Sequence, residues 1–140
     1  MKVLFAAIIM FVAAGAQAEN ASFSDALSGN WVGSWESARA GGTMEMALEA
    51  NDSSVNGKVR ATNPPALNCS PEWRNLVAIS KKGEKIHAEY NLGGRCGKVE
   101  TIFWLDSTGL TGTWSSQGGK GTFHMVKQVP SSVGTASEVR

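Results

Sequence analysis

Apolar and polar residues alternate along most of the chain that follows residue 28. In the first such stretch Trp31, Gly33 and Trp35 fall on one face of a strand. A period of two, interrupted by turn-forming residues about every ten positions, is typical of an all-β sandwich or barrel. The pattern predicts eight strands, at about residues 29–36, 42–50, 54–61, 73–80, 84–91, 98–105, 109–115 and 121–128.

Short connections join most of these predicted strands, which favours an up-and-down order in which each strand pairs with its neighbours in sequence. Closure of such a sheet into a barrel removes the open edges that a flat sheet would expose. We therefore expect an eight-stranded antiparallel up-and-down barrel over residues 29–129. A sandwich of two sheets built from the same strands is the alternative.

The first residues have the composition of a secretory signal peptide. Lys2 precedes an apolar run at residues 3–12, and small residues end at Ala16-Gln17-Ala18, an A-x-A cleavage site. The run is shorter than the roughly 20 residues of a membrane span. We expect cleavage near Ala18, a secreted or periplasmic protein, and no membrane span. Residues 19–28 are predicted to form an N-terminal arm and residues 130–140 a flexible tail.

The two cysteines are predicted to form one disulfide. Cys69 and Cys96 are the only cysteines, and an exported chain meets an oxidising compartment. A bridge that closes a loop of this length stabilises a fold by roughly 3 kcal/mol. In an up-and-down barrel successive loops alternate between the two ends, which places both cysteines in long loops at one end. Two free buried thiols are the alternative.

Charge limits the kinds of partner. Removal of Lys2 with the signal peptide reduces Lys+Arg from 13 to 12, against 12 Asp+Glu. A neutral chain lacks the basic excess of a nucleic-acid-binding protein, so no nucleic-acid partner is expected. Five cations nevertheless fall at the end with the longer loops, where Glu72 is the main opposing charge. They are Arg39, Arg74, Arg95, Lys98 and Lys120.

This cationic rim predicts an anionic ligand or partner surface, because arginine can grip a carboxylate or phosphate with two hydrogen bonds. Solvated loop charges that point in different directions are the alternative. Trp35 and Trp73 are predicted to lie nearest the rim, whereas Trp31 and Trp114 are predicted to fill the barrel floor. The expected ligand-binding residues are Trp35, Arg39, Trp73, Arg74 and Arg95.

The sequence offers little that indicates catalysis. His87 and His124 are the only histidines, and no third ligand stands at a recognisable metal spacing. The mature chain has no Gly-x-Ser-x-Gly elbow and no phosphate-cradling glycine loop. His87 and Glu89 would form an acid–base pair, with a solvated polar face as the alternative. We expect no catalytic residue, no metal and no cofactor.

An outer apolar patch is predicted because two strands carry apolar residues on both faces. Leu76, Ile102 and Trp104 would form this patch, and such patches often mark an interface. A homodimer would cover it, as would the N-terminal arm through Phe23.

The opening of the first strand resembles that of known small barrels. Gly29-Asn30-Trp31 is similar to the Gly-x-Trp that opens lipocalins and related calycins, and with Gly42–Met46 it looks like the first hairpin of avidin-type barrels. Ser28-Gly29-Asn30-Trp31 resembles the opening of small bacterial metalloprotease inhibitors. That last resemblance implies an arm, here Glu19–Ala26, that enters a protease cleft. The second lipocalin motif is absent, and avidin's biotin-contacting residues have no counterparts.

Together these observations predict an exported, non-enzymatic binding barrel for a small anionic or amphipathic ligand at the disulfide-bearing end. The alternative is a protein-binding module, such as an inhibitor of an exported hydrolase. A hollow interior would favour the first function and a filled interior the second.

Overall fold

The computed structural model describes residues 23–129. The predicted signal peptide, its cleavage site near Ala18, the first part of the predicted arm and the predicted tail at residues 130–140 lie outside this range. A helical turn at residues 23–27 precedes a sheet of nine strands. The strands are β1 (Gly29–Ser37), β2 (Gly41–Ala50), β3 (Val55–Ala61), β4 (Arg74–Asn75), β5 (Val77–Lys82), β6 (Lys85–Asn91), β7 (Lys98–Asp106), β8 (Gly109–Ser116) and β9 (Gly119–Lys127), with a 3₁₀ turn at Pro65–Leu67.

The sheet is a nearly closed, up-and-down antiparallel barrel, as the alternation predicts. Its strands follow the order β4-β3-β2-β1-β9-β8-β7-β6-β5, and all neighbours are antiparallel. The strands at the two ends of this order, β4 and β5, are consecutive in the chain and are separated only by Leu76. The sheet therefore curls round and closes through the chain itself.

The strand count differs from the prediction, because the single strand expected at residues 73–80 is two strands. Arg74–Asn75 pairs with β3, whereas Val77–Lys82 pairs with β6. Between them the Leu76 N–H still donates to the Gly57 carbonyl of β3 at 2.9 Å. Ala78 then has a φ of +52°, beside an irregular register between β5 and β6. This bulge bends the chain from one partner strand to the other.

The barrel is filled by side chains from its inner face. Trp31 is 4% exposed, and its Nε1 donates to the Leu27 carbonyl of the helical turn at 2.9 Å. Leu27 is itself fully buried, so the helical turn packs on the core. The largest fully buried side chains are Leu27, Met44, Met46, Val59, Ile86, Phe103, Leu110 and Met125.

Two inward-facing glycines contribute to this dense packing. A Cβ at Gly33 would overlap the backbone of His124 and Met125 on β9. A Cβ at Gly112 would lie 2.7 Å from the Ile102 carbonyl oxygen and would overlap the Phe123 ring. These glycines therefore allow neighbouring strands and rings to approach closely.

The connections alternate between the two ends of the barrel, as predicted. Those at residues 38–40, 62–73, 92–97 and 117–118 form the loop-rich end, whereas 51–54, 83–84 and 107–108 form the turn end. Cys69 and Cys96 form the predicted disulfide at the loop-rich end, with their Cα atoms 5.7 Å apart. A disulfide fits an exported protein. No helix within residues 23–129 is both long enough and apolar enough to span a membrane.

The predicted outer apolar patch is corrected by the structure. Leu76 is 6% exposed and packs in the core, because it points inward at the junction of β4 and β5. Ile102 and Trp104 are half-buried on the outer face of β7. The Lys85 ammonium lies 4.9 Å from the centre of the Trp104 ring and partly covers it. The three residues therefore do not form one surface.

The substitution Gly33→Ala is expected to destabilise the fold by about 2 kcal/mol or more, because its Cβ meets backbone atoms that cannot move freely. The matched control is Gly118→Ala, where the nearest heavy atom would be 3.8 Å away. Urea unfolding followed by tryptophan fluorescence measures both variants. Equal midpoints for the two variants would contradict the close-packing argument.

Replacement of both cysteines by serine is expected to lower the free energy of unfolding by roughly 3 kcal/mol, since the bridge spans 27 positions and restricts the unfolded chain. Guanidinium unfolding of the double variant, beside reduced wild-type protein, measures the loss. The reduced wild type should lose a similar amount. A variant as stable as the oxidised protein would show that the loops hold without the bridge.

Candidate functional site

A cleft opens at the loop-rich end, above the packed core. This mouth cleft has a volume of about 630 Å³. Its apolar lining includes Trp35, Leu67 and Trp114, and its charged lining residues are Arg39, Arg95 and Lys120. Among the residues that the structure describes, no aspartate or glutamate lines it.

The two tryptophans of the mouth cleft are placed by glycines on the neighbouring strands. Trp35 of β1 pairs across the ladder with Gly42 of β2, and Trp114 of β8 pairs with Gly121 of β9. A Cβ at Gly42 would lie 2.7 Å from Trp35 Nε1, and one at Gly121 would lie 2.9 Å from the Trp114 ring. Glycine therefore gives each indole room to lie over the adjacent strand.

The indoles also contact each other and the covering loop. Their ring centres are 5.5 Å apart and their planes are perpendicular, an edge-to-face arrangement. Trp35 Nε1 donates to the Thr62 carbonyl at 2.8 Å. Trp114 Nε1 is buried and has no hydrogen-bond partner within residues 23–129. The wall that these rings form is thus rigid and apolar.

The disulfide and two backbone hydrogen bonds join the two long loops beside the cleft. The Arg95 N–H donates to the Leu67 carbonyl at 2.9 Å, and the Ser70 N–H donates to the Leu92 carbonyl at 2.7 Å. Gln117 Nε2 donates to the Arg95 carbonyl at 3.1 Å. Leu67 and Arg95, which line the cleft, are therefore held on a braced backbone.

The cations of the mouth cleft have no acidic partner in the described part of the chain. The ion pairs within residues 23–129 are Arg60–Glu45 at 3.0 Å and Lys98–Glu100 at 3.6 Å, and neither lies in the cleft. Arg39, Arg95 and Lys120 are all exposed. Three cations round one concavity, with no lining carboxylate among the described residues, favour a positive local potential there.

The structure brings together three of the five predicted ligand-binding residues. Trp35, Arg39 and Arg95 line the mouth cleft, whereas Trp73 and Arg74 are not among its lining residues. Both residues lie against β3 instead: Trp73 stacks on Lys58 and Arg60, and Arg74 pairs with Val59.

Trp73 and Arg74 occupy two different environments. The Trp73 ring carries two cations, with the Arg60 guanidinium 4.5 Å and the Lys58 ammonium 5.0 Å from its centre. Arg74 is directly opposite Val59, whose side chain is fully buried, and Arg74 Nε is buried with no partner in the described residues. Lys98, also predicted at the rim, is paired with Glu100 outside the cleft.

Sequence reasoning missed part of the cleft. Trp114 was expected beside Trp31 on the barrel floor, but Trp31 lies near the start of β1 at the turn end and Trp114 near the end of β8 at the loop-rich end. Leu67 was not singled out. The repeated pairing of a tryptophan with a cross-strand glycine, Trp35 with Gly42 and Trp114 with Gly121, is the signal that would have grouped the two indoles.

The histidines lie away from the mouth cleft. His87 and Glu89 are half-buried on the outer face of β6. His124 Nε2 lies 2.9 Å from the Thr108 hydroxyl near the turn end. Within residues 23–129 no group of three or more His, Cys, Asp or Glu side chains is placed to hold a metal ion. Burial raises the pKa of the Tyr90 phenol, so this side chain stays neutral.

A dense set of hydrogen bonds surrounds Asp106 at the turn between β7 and β8. Its carboxylate accepts the Thr108 hydroxyl at 2.6 Å, the Thr108 N–H at 2.8 Å and the Thr111 hydroxyl at 2.8 Å. These hydrogen bonds lower the pKa of Asp106 from 3.8 to about 2, and the bond from the Thr108 hydroxyl makes the largest contribution. The arrangement is that of an Asx turn, which orders this hairpin.

Comparisons with known proteins add no relative. The chain matches no protein-family model, no curated protein and no solved structure. The fold therefore defines only a broad class. The protein is an all-strand, nearly closed antiparallel barrel, which is consistent with a calycin-like fold.

The substitution Thr111→Val is expected to raise the pKa of Asp106 above about 2, because the charged form loses a donor. A carboxyl group with a lowered pKa stabilises the fold above its unfolded pKa of 3.8, and this stabilisation is lost as the pH falls through about 2. Carbon-detected NMR titration of the Asp106 carboxyl measures the change. Thr113→Val, on the same strand and outside this network, is the control; a shift as large there would contradict the assignment.

Proposed function

We propose that the protein is a non-enzymatic binding barrel whose mouth cleft takes an anionic group joined to an apolar body. One observation carries the proposal: three cations and two perpendicular indoles share a single concavity, and among residues 23–129 no carboxylate lines it or pairs with these cations.

The two halves of the cleft support different parts of such a ligand. Arg39, Arg95 and Lys120 supply charge-assisted donors for a carboxylate, sulfate or phosphate. Trp35 and Trp114 supply a rigid apolar wall, against which a hydrocarbon or aromatic body loses its contact with water. A volume of about 630 Å³ is in the range of sites for small molecules.

The filled interior favours a ligand at the mouth of the barrel. Fully buried side chains such as Phe103 and Met46 occupy the space that a hollow ligand-binding barrel would leave open. Binding at the mouth alone therefore buries only part of a ligand. We infer that the ligand is short, or that it projects from the cleft into solvent.

A protein partner is the second candidate, and the filled barrel is the observation that favours it. A module that binds proteins needs a rigid body and an exposed recognition surface, and the braced loops beside Cys69 and Cys96 provide one. In this version the anion is an acidic side chain or a C-terminal carboxylate of the partner. An inhibitor of an exported hydrolase would be one such module.

The test compares ligands that differ only in the head group. Decanoate, decanol and decylammonium, each kept below micelle formation near neutral pH, are titrated while tryptophan fluorescence is recorded. Decanoate should bind at least about tenfold more tightly than decanol, since a charge-assisted hydrogen bond is worth roughly 1.5 kcal/mol or more. Decylammonium should bind least, because the cations of the cleft repel it.

Variants locate the site. Arg39→Gln and Arg95→Gln should each weaken decanoate binding about tenfold, whereas Lys81→Gln at the turn end should leave it unchanged. Equal binding by the two rim variants and wild type would place the anion elsewhere. The second candidate predicts instead that a peptide with a free C-terminal carboxylate binds and that its C-terminal amide does not.

A further inference from the structure

The connection between β2 and β3 contains a sequence pattern unrelated to the mouth cleft. Glu49-Ala50-Asn51-Asp52-Ser53 places a serine two residues after an asparagine, with a residue other than proline between them, which is the acceptor pattern for N-linked glycans. An acidic residue also stands two positions before the asparagine. All four residues of this turn, 51–54, are exposed at the turn end of the barrel.

The geometry of the turn leaves the reactive atom of Asn51 available. Asn51 Oδ1 accepts the backbone N–H groups of Ser53 and Ser54, each at 2.9 Å, and lies 3.4 Å from the Ser53 hydroxyl. Asn51 Nδ2 makes no hydrogen bond within residues 23–129, so the oxygen of the carboxamide holds the turn and the nitrogen does not. A substituent on Nδ2 therefore leaves the hydrogen bonds of the turn intact.

We propose that Asn51 is the acceptor of an N-linked glycan. Ser53 and Glu49 are the residues by which an oligosaccharyltransferase, in the compartment to which the chain is exported, recognises this acceptor. The co-reactant is a glycosyl diphosphate carried on a lipid. A bond forms between Asn51 Nδ2 and the anomeric carbon of the sugar, while the bond from that carbon to the diphosphate oxygen breaks. The lipid diphosphate leaves with the electron pair, and Nδ2 gives one proton to a basic side chain of the transferase.

Glu49 determines the class of transferase. Its side chain is exposed at the end of β2, two residues before the acceptor. A transferase with a cationic side chain at the matching position gains a charge-assisted contact from this carboxylate. The turn thus meets the stricter pattern, acidic-x-Asn-x-Ser, as well as the simpler one.

The sequence contains two other Asn-x-Ser patterns, and Asn51 differs from both. Asn68 precedes Cys69, so its pattern includes a residue of the disulfide. Asn68 also has a φ of 54°, and its backbone N–H donates to the Pro65 carbonyl. Asn20 lies outside the described residues. Residues 66 and 18, two positions before these asparagines, are alanines.

A glycan at Asn51 would be compatible with binding at the other end of the barrel. The β2–β3 turn belongs to the turn end, whereas the mouth cleft lies at the loop-rich end. This inference does not depend on the proposed function of the cleft. It depends on export, which the disulfide between Cys69 and Cys96 fits.

The experiment exports the full chain in bacterial cells that carry a transferase of the acid-reading class and its lipid-linked donor. Intact mass and glycopeptide mapping are the measurements. The expected result is a mass increase of one glycan, located on the peptide that contains Asn51. Asn51→Gln and Ser53→Ala should remove it, Ser53→Thr should keep it, and Glu49→Gln should lower occupancy at least tenfold.

The control variant is Asn68→Gln, which should keep full occupancy. Tryptophan fluorescence and disulfide formation show whether each variant folds. If Asn51→Gln does not fold, Ser53→Ala still tests the acceptor pattern, because it keeps Asn51. The proposal fails if a reference acceptor in the same cells is glycosylated while this chain is not. It also fails if the glycan maps to Asn68 or Asn20, or if Glu49→Gln leaves occupancy unchanged.

Discussion

The junction at Leu76 is the constraint on which the barrel depends. A twisted sheet of this size leaves two edges unless it closes, and here the edges are β4 and β5, joined by one residue of chain. Leu76 points into the core and donates its N–H to β3, while the bulge at Ala78 turns the following residues towards β6. Closure therefore comes from a bent segment that pairs first with β3 and then with β6, and the inner face it encloses holds the buried core.

The interior of the barrel is densely packed, and the mouth cleft is a concave surface that the loops form above it. Side chains such as Trp31 and Phe103 fill the interior, and Gly33 and Gly112 let strands and rings approach closely. The two indoles nearest the opening follow the same rule, since each lies against a cross-strand glycine. The densely packed core thus supports an apolar wall at the surface.

The two ends of the barrel have different chemistry. At the loop-rich end, the disulfide and the hydrogen bonds between the 62–73 and 92–97 connections brace a cationic rim. At the turn end, short connections are held by side chains that bond to their own backbone, as at Asn51 and Asp106. Cross-links restrict the freedom of long loops, and a side chain that bonds to its own backbone orders a tight turn. The proposed binding and modification sites lie at these opposite ends.

The sequence by itself determined the all-β class, the alternation of loops between two ends and the disulfide between Cys69 and Cys96. Alternation with a period of two, and the order of strands and loops along the chain, can be seen in the sequence alone. Tertiary structure alone decided that the strand at residues 73–80 splits, that Leu76 points inward and that Trp73 and Arg74 lie outside the cleft. Each of these depends on which neighbour a strand pairs with and where it bends, and alternation along one strand does not report its partners. The packed interior likewise follows from contacts across the barrel between residues far apart in sequence.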